Sequence, residues 1–263
     1  MRIRKMCMAC ILLLMAGCTG GGETGKERAG KIEPKQENQA KQMNNTQHSA
    51  GRDMPNPTAN KRKNNRILLN VPLIRQNPEL KYGCEVTSLA MVLRYAGVKA
   101  DKMSLANQIK KEIDPLKKTT AGDITGWGDP ADGFVGDMTG RKPGYAVYDR
   151  EIAALLDRYM PGRANNLTGS SFDRVLEQVE AGRPVVVWTT GDYRLPDRWE
   201  KWKHKGETIK TPLDLHAVVL VGFDAGHVYV NDPLSGIKKK QVERKQFEAS
   251  WRALKKRAVT YRG

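Results

Sequence analysis

The sequence predicts an α+β fold for the range 67–263. Helical patterns come first along this range, and strand patterns follow at 184–190, 216–223 and 227–232. Only a short turn separates the last two strands, so we expect them to pair as an antiparallel hairpin. A doubly wound fold would instead alternate strands and helices along the chain.

Residues 1–17 have the features of a lipoprotein-type export signal. A basic start is followed by a short apolar stretch from Ala9 to Ala16, which is well below the roughly 20 apolar residues of a spanning helix. The segment Leu14-Met15-Ala16-Gly17-Cys18 resembles a bacterial lipobox. This resemblance implies lipidation of Cys18 and anchoring at the outer face of the plasma membrane. A plain secreted protein is the alternative.

Residues 18–66 are predicted to form a disordered tether. They are rich in Gly, Lys, Glu, Gln, Asn, Thr and Pro and contain few large apolar side chains. Such a segment cannot bury enough apolar surface to offset the entropy of ordering it. The remaining range, 67–263, has the usual size of one folded domain.

The chain is strongly basic, with a formal net charge of +16. Its Lys and Arg residues are spread out rather than gathered with aromatic residues, so we expect no nucleic-acid partner. Lipid headgroups and anionic cell-wall polymers are candidate partners of an exported basic surface. A solvated surface that keeps the protein soluble is the simpler interpretation.

The predicted domain contains a single cysteine, Cys84, whereas Cys7 and Cys10 lie in the export signal and Cys18 is the candidate lipidation site. An exported domain usually pairs its cysteines or lacks them, so an unpaired thiol is a candidate nucleophile. A buried, inert core cysteine is the alternative.

Cys84 is predicted to lie in the first turn of an amphipathic helix. Apolar residues recur at helical spacing after it, and the pattern ends at Gly97; they are Val86, Leu89, Ala90, Leu93 and Ala96. The free N–H groups and the positive end of the helix dipole favour the thiolate at this position. The location therefore supports a nucleophilic role for Cys84.

The segment before Cys84 is predicted to supply an oxyanion hole. Gly83 would leave the backbone open to a substrate carbonyl, and Asn70–Gln76 has the pattern of a short strand that enters a loop. The Gln76 amide and a backbone N–H could together bind an oxyanion. A solvated loop glutamine is the alternative.

Further helices are predicted at Asp149–Met160, Ser171–Ala181 and Glu243–Leu254, each with an apolar face that fits a core. We expect Ala121–Tyr145 and the segment around Trp199 and Trp202 to be long loops that border a cleft. No repeat, glycine-rich phosphate loop or metal-ligand spacing occurs, so we expect neither a cofactor nor a metal.

Among the four histidines, His216 is the best candidate for a general base. His48 lies in the tether, His204 lies in a charged segment without helix or strand periodicity, and His227 lies beside a turn. His216 instead begins a continuous apolar, β-branched run that ends at Phe223 and is typical of a buried strand.

Asp232 is the predicted partner of His216. With a three-residue turn, Phe223 would pair with His227, and Asp232 would become the diagonal neighbour of His216 on the same face. Asn231 would point to the other face. Asp232 could then fix the imidazole tautomer and stabilise the imidazolium. An ordinary core histidine with an Asp turn cap is the alternative.

In order, these motifs resemble the bacteriocin-processing, double-glycine-type peptidase-like family of the papain superfamily. The resemblance rests on Gln76, Gly83–Met91, Gly128–Asp129–Pro130, Gly133–Asp137, Gly182–Trp188, the strand that begins at His216, and Asn231–Asp232–Pro233. It implies a papain-like cysteine peptidase fold, with an N-terminal helical part packed on an antiparallel sheet. It also implies that Gln76 belongs to the oxyanion hole, Cys84 is the nucleophile, His216 the base and Asp232 its orienting partner.

We therefore expect a cysteine peptidase or amide hydrolase that acts on a peptide or protein outside the plasma membrane, through a thioester acyl-enzyme. Acyl transfer on the same triad is one alternative. A non-catalytic surface-binding lipoprotein is the other.

Overall fold

A computed structural model of the chain describes residues 66–263. The predicted export signal, Cys18 and the predicted tether up to residue 65 lie outside the described residues. Within the described part, no helix is both long enough and apolar enough to cross a membrane.

The described residues form an α+β fold that contains every helix predicted from the sequence. The helices are α1 (Cys84–Tyr95), α2 (Lys102–Gln108), α3 (Asp149–Tyr159), α4 (Phe172–Glu180) and α5 (Arg244–Ala253). The pattern did not predict α2, which is short and is capped by the Asp101 side chain on the N–H groups of Met103 and Ser104.

The main sheet is antiparallel throughout. Its strands are β1 (Ile67–Leu68), β6 (Ala164–Asn166), β7 (Val185–Thr190), β10 (Leu215–Phe223), β11 (His227–Asp232), β12 (Ile237–Glu243) and β13 (Ala258–Tyr261). They pair in the order β12-β11-β10-β7-β13-β6, and β1 also pairs with β10. The predicted strands at 184–190, 216–223 and 227–232 are confirmed.

Helices cover both faces of this sheet. On one face α1 and α3 pack against side chains such as Trp188, Ala217 and Val219. On the other face α4 and α5 pack against the alternate residues of the same strands, such as Val187 and Val218. The alternation follows from the two-residue period of a strand.

Helix α1 is more deeply buried than an amphipathic pattern predicts. Its buried residues run without a break from Cys84 to Leu93. The predicted polar face is therefore wrong, because the sheet, α2 and α3 together surround this helix. Gly97 follows its end with a φ of +82°, as a helix terminator should.

A smaller sheet corrects the prediction of a loop around Trp199 and Trp202. The strands β3 (Lys117–Lys118), β4 (Ile124–Gly126), β8 (Trp199–His204) and β9 (Glu207–Pro212) form it, and β2 (Lys111–Glu112) pairs separately with β5 (Phe134–Val135). Trp202 and His204 are buried, whereas Lys201 and Lys203 are exposed. The strand was not predicted because its exposed lysines make the segment look like a charged loop.

The predicted strand at Asn70–Gln76 is also wrong, because this segment forms no ladder. Pro72 cannot donate to one. Side chains and loops satisfy the backbone instead: Asn231 donates to the Val71 carbonyl at 3.1 Å, and the Gln76 N–H donates to the Pro233 carbonyl at 2.9 Å. These bonds place the segment against the end of β11.

Candidate active site

The hairpin β10–β11 has the predicted register at its far end, but its turn length differs from the prediction and a bulge compensates for the difference. The turn is one residue longer than expected, because Phe223 pairs with Val228 rather than with His227. A bulge between Leu220 and Gly222 then shifts the register back by one residue. The side chains of His216 and Asp232 therefore meet on one face of the hairpin.

His216 and Asp232 form a buried hydrogen-bonded pair. The distance from Nε2 of His216 to Oδ1 of Asp232 is 2.8 Å, and the two residues are 3% and 2% exposed. A carboxylate accepts, so Nε2 carries the proton and Nδ1 carries the lone pair. Nδ1 makes no hydrogen bond with any described residue, which leaves it free to act as a base.

Several donors hold the Asp232 carboxylate in place. Tyr193 and Ser235 hydroxyls donate to Oδ2 at 2.9 and 2.6 Å, and the Leu234 N–H donates to Oδ1 at 2.9 Å. Burial alone would raise the pKa of Asp232, but hydrogen bonds from His216, Ser235 and Tyr193 outweigh it and hold the pKa below its ordinary value. Asp232 therefore remains an anion beside the imidazole.

The neighbouring residue, Asn231, points to the other face of the strand, as its parity predicts. Its amide binds the Val71 carbonyl and the Lys239 N–H rather than His216. The choice of Asp232 over Asn231 as the histidine's neighbour therefore agrees with the geometry.

Cys84 is the first residue of α1 and is 7% exposed. Its Sγ lies 3.4 Å from Oε2 of Glu85, and the backbone amide of Ala217, the residue after His216, forms a hydrogen bond that favours the thiolate. Burial first and the Glu85 charge second raise the pKa of the thiol well above its ordinary value. This contradicts the lowering expected from the helix terminus, because full desolvation outweighs the dipole.

Cys84 begins a helix that packs against β10, the strand of His216, and the two side chains share no direct hydrogen bond. The Ala217 N–H, which follows His216 in that strand, lowers the pKa of the thiol but does not offset the effect of burial. The resting group is the neutral thiol, so a reaction at this sulfur requires a base to take its proton.

Gln76 is buried rather than solvated, with 2% exposure. Its Nε2 donates to the Lys81 carbonyl at 2.8 Å, and its Oε1 has no partner among the described residues. One Nε2 hydrogen remains for another acceptor. The solvated-loop alternative is therefore wrong, while the oxyanion role stays a prediction.

Gly83 is required for a reason that the sequence did not reveal. A Cβ atom added there would lie 2.6 Å from Cβ of Leu80, which is fully buried. The glycine lets the loop that carries Gln76 pack closely against the start of α1.

Sequence reasoning missed Glu85, which directly follows Cys84. Glu85 is 0% exposed, and its Oε1 accepts a hydrogen bond from the Val147 N–H at 3.1 Å. Burial raises its pKa to about 7. The available signal was one charged residue, next to Cys84, at the start of an otherwise uncharged run that ends at Leu93.

The surroundings of His204 are the one place where described residues could hold a metal. Ligand atoms of Glu112, Asp132 and His204 lie within 4.8 Å of one another. Arg150 and Lys205 already pair with Asp132, at 3.3 and 3.4 Å. We therefore interpret this cluster as an ion-pair network.

A cavity of about 440 Å³ opens where β7 ends and β10 begins. Three aspartates, two arginines and two leucines line it, and Leu195 is 63% exposed. Exposed apolar and charged side chains around a cavity are typical of a binding cleft. The loops on either side of the β8–β9 hairpin line this cavity. Neither Ala121–Tyr145, which contains β4 and β5, nor Trp199 and Trp202 lines it, so their predicted place at a cleft stays a prediction.

The sequence profile of the Peptidase_C39 like family matches residues 68–259. A Bacillus subtilis (strain 168) protein, the uncharacterized YvpB, is 42% identical over 182 residues, which are 69% of this chain and 70% of that protein. A crystal structure of a C39-like peptidase from Bacillus anthracis is 39% identical, with a TM-score of 0.70, and covers 76% of this chain and 98% of that one.

Proposed function

The chain belongs to the Peptidase_C39 like family, and on this premise we propose that it hydrolyses peptide bonds through Cys84, His216 and Asp232. The family and the papain-like α+β fold suggest a cysteine peptidase. The observation that carries the finer proposal is the buried His216–Asp232 pair, which leaves Nδ1 free on the strand that contacts Cys84.

In the proposed reaction, Nδ1 of His216 takes the proton from Sγ of Cys84, and the sulfur attacks the carbonyl carbon of the substrate. The Cys84 N–H and Nε2 of Gln76 stabilise the oxyanion. The imidazolium then gives its proton to the leaving amine, and a thioester remains. Water, deprotonated by His216, attacks the thioester and restores the thiol.

Asp232 acts in this scheme as a positioning residue. Its carboxylate holds the proton on Nε2 and stabilises the imidazolium formed when Nδ1 accepts a proton. The surrounding donors supply the rigidity, since they fix both oxygens of the carboxylate. A stable tautomer keeps Nδ1 basic.

Iodoacetamide labelling of the full-length chain tests the nucleophile. The rate is followed by mass spectrometry of the peptide that contains Cys84, in wild type, His216→Ala and the control His227→Ala. We expect His216→Ala to be labelled about 10²-fold more slowly than wild type at pH 7, because the neutral thiol then lacks the base that takes its proton. Equal rates in wild type and His216→Ala would sink the proposal.

A peptide mixture from digested bacterial protein tests the substrate class. Wild type should generate new peptide termini that the Cys84→Ala variant does not generate. Addition of amine acceptors to the same mixture separates hydrolysis from acyl transfer, because transfer products carry the acceptor mass. A product pattern that is identical in wild type and Cys84→Ala would contradict a peptidase.

We also propose that the protein acts at the outer face of the plasma membrane, anchored through a lipid on Cys18. The basic start, the short apolar stretch and the lipobox-like segment support this location. Membrane fractionation of a bacterial culture tests it. Cys18→Ala should move the protein out of the membrane fraction, whereas the control Cys10→Ala should leave it there; recovery of wild type in the cytosol would overturn the location.

A further inference from the structure

Within the described part of the chain, the fully buried Glu85 carboxyl has hydrogen-bond contacts with Cys84 and Val147. Oε2 lies 3.4 Å from Sγ of Cys84, and Oε1 accepts from the Val147 N–H. Within residues 66–263 it forms no ion pair, so no cation offsets the cost of burying its charge. Glu85 is therefore an ionisable group in direct contact with the proposed nucleophile, and its ionisation changes the charge there.

The groups that face Glu85 cannot supply that missing charge. Cys84 lies on the same helix as Glu85, α1. Tyr145 and Tyr148 lie on the segment that leads into α3. Burial raises the pKa of both tyrosines, so they stay neutral. The guanidinium of Arg257 stacks 3.6 Å from the ring centre of Tyr148 and pairs with Asp149 rather than with Glu85.

A thiolate and a carboxylate at this distance would repel strongly in a dry site. A neutral carboxyl has the opposite effect, because its O–H can donate to the sulfur anion. We propose that Glu85 is a positioning residue whose protonation state sets the reactivity of Cys84. The neutral carboxyl stabilises the thiolate that forms when His216 takes the thiol proton, and the carboxylate suppresses it.

This inference rests on the proposed role of Cys84, and it predicts an unusual dependence on pH. The raised pKa of Glu85, about 7, places its ionisation in the neutral range. Below that pH the carboxyl is neutral and supports the thiolate. Above it the carboxylate forms, so Cys84 gains less reactivity with rising pH than an ordinary thiol does.

Glu85→Gln is the informative substitution. The amide keeps an oxygen for the Val147 N–H and offers an N–H to the sulfur, so it imitates the neutral carboxyl at every pH. Glu207→Gln, at an exposed carboxyl in β9, is the matched control. The measurement is the iodoacetamide labelling rate of Cys84 between pH 5.5 and pH 8.5 in the full-length chain.

We expect the ratio of the Glu85→Gln rate to the wild-type rate to be near one at pH 5.5 and to rise to about tenfold at pH 8, which corresponds to a thiol pKa lowered by about one unit. The Glu207→Gln ratio should stay near one at every pH. A Glu85→Gln ratio that does not change with pH would overturn the inference, because a purely structural effect would not follow the ionisation of Glu85.

The same pair of measurements in a His216→Ala background separates this inference from the proposed function. If His216→Ala does not slow labelling but Glu85→Gln still shows the pH-dependent ratio, the proposed function fails and the role of Glu85 stands. If His216→Ala slows labelling and the ratio is flat in both backgrounds, only the role of Glu85 fails.

Discussion

Two buried histidines, each on a β-hairpin and each near an aspartate, differ in how their ring nitrogens are used. His216 contacts Asp232 through Nε2 alone. His204 uses both nitrogens, since Nδ1 lies 3.2 Å from the Trp127 carbonyl and Nε2 lies 3.4 Å from Asp132. Only the first ring keeps a nitrogen for chemistry.

The two aspartates differ as well. The Asp232 side chain is 3% exposed and is held mainly by hydroxyl and amide donors, whereas the Asp132 side chain is 36% exposed and pairs with Arg150 and Lys205. Among residues 66–263, Lys240 is the one Lys or Arg that pairs with Asp232, at 3.8 Å, so this buried carboxylate can respond to a proton on the imidazole. Burial of a histidine therefore does not by itself mark a site; the free nitrogen and the buried carboxylate do.

Replacement of His216 by glutamine should affect the reactivity of Cys84, whereas replacement of His204 should affect the stability of the fold. His216→Gln should lower the labelling rate of Cys84 by about 10²-fold or more, because the general base is lost. His204→Gln should leave that rate unchanged but lower the free energy of unfolding by about 1–3 kcal/mol, because buried partners lose their hydrogen bonds. Labelling rates and urea unfolding measure both, and a similar rate loss in the two variants would break the comparison.

Replacement of Asp232, but not of Asp132, should change the labelling rate of Cys84. Asp232→Asn should slow labelling by about a hundredfold or more, because the amide favours the wrong tautomer of His216. Asp132→Asn is the matched control and should leave labelling unchanged. Slower labelling of Cys84 in Asp132→Asn would mean that the β8–β9 hairpin contributes to the site.

Stability in acid should distinguish the same two carboxyls. The pKa of Asp232 in the folded protein lies below the value of about 3.9 in the unfolded chain, so its ionisation stabilises the fold above about pH 4 and this contribution is lost as the pH falls further. Asp232→Asn should therefore flatten the decline of unfolding free energy below about pH 4. Asp132→Asn should flatten it less, because solvent screens that exposed carboxyl. Equal slopes in wild type and Asp232→Asn would contradict the prediction.

Tyr193→Phe should have the smallest effect. It removes the hydroxyl that donates to Oδ2 of Asp232 at 2.9 Å, and we expect a cost of about 0.5–1.5 kcal/mol in unfolding free energy. Labelling should slow only severalfold, since Ser235 still holds the same oxygen. Tyr229→Phe, which loses a hydrogen bond to Asp224 in the hairpin turn, is the control for labelling. Equal slowing of Cys84 labelling in Tyr229→Phe would contradict a specific role for Tyr193.

The sequence predicts the parts of the site that depend on local patterns. The apolar run after His216 identifies a buried strand, and parity places Asp232 rather than Asn231 on the face of His216. The helix that begins at Cys84 follows from its spacing and from Gly97. These features depend on neighbours within a few residues or on one hairpin.

The rest depends on contacts between distant segments. Tyr193 reaches Asp232 across the sheet, and Glu85 becomes buried because Val147 lies over the start of α1. The turn length and the bulge were missed because two one-residue errors cancel at His216. Trp202 belongs to a strand whose outward lysines dominate its composition. No local pattern encodes these neighbours.

The bulge between Leu220 and Gly222 lies between the hairpin turn and His216. Residues 224–227 lie between the paired residues Phe223 and Val228, and beyond the bulge Val219 pairs with Asn231. The bulge can take up a change in chain length before it reaches His216. The turn is therefore a suitable position for an inserted spectroscopic probe, which would report on the hairpin while leaving the imidazole and its carboxylate in place.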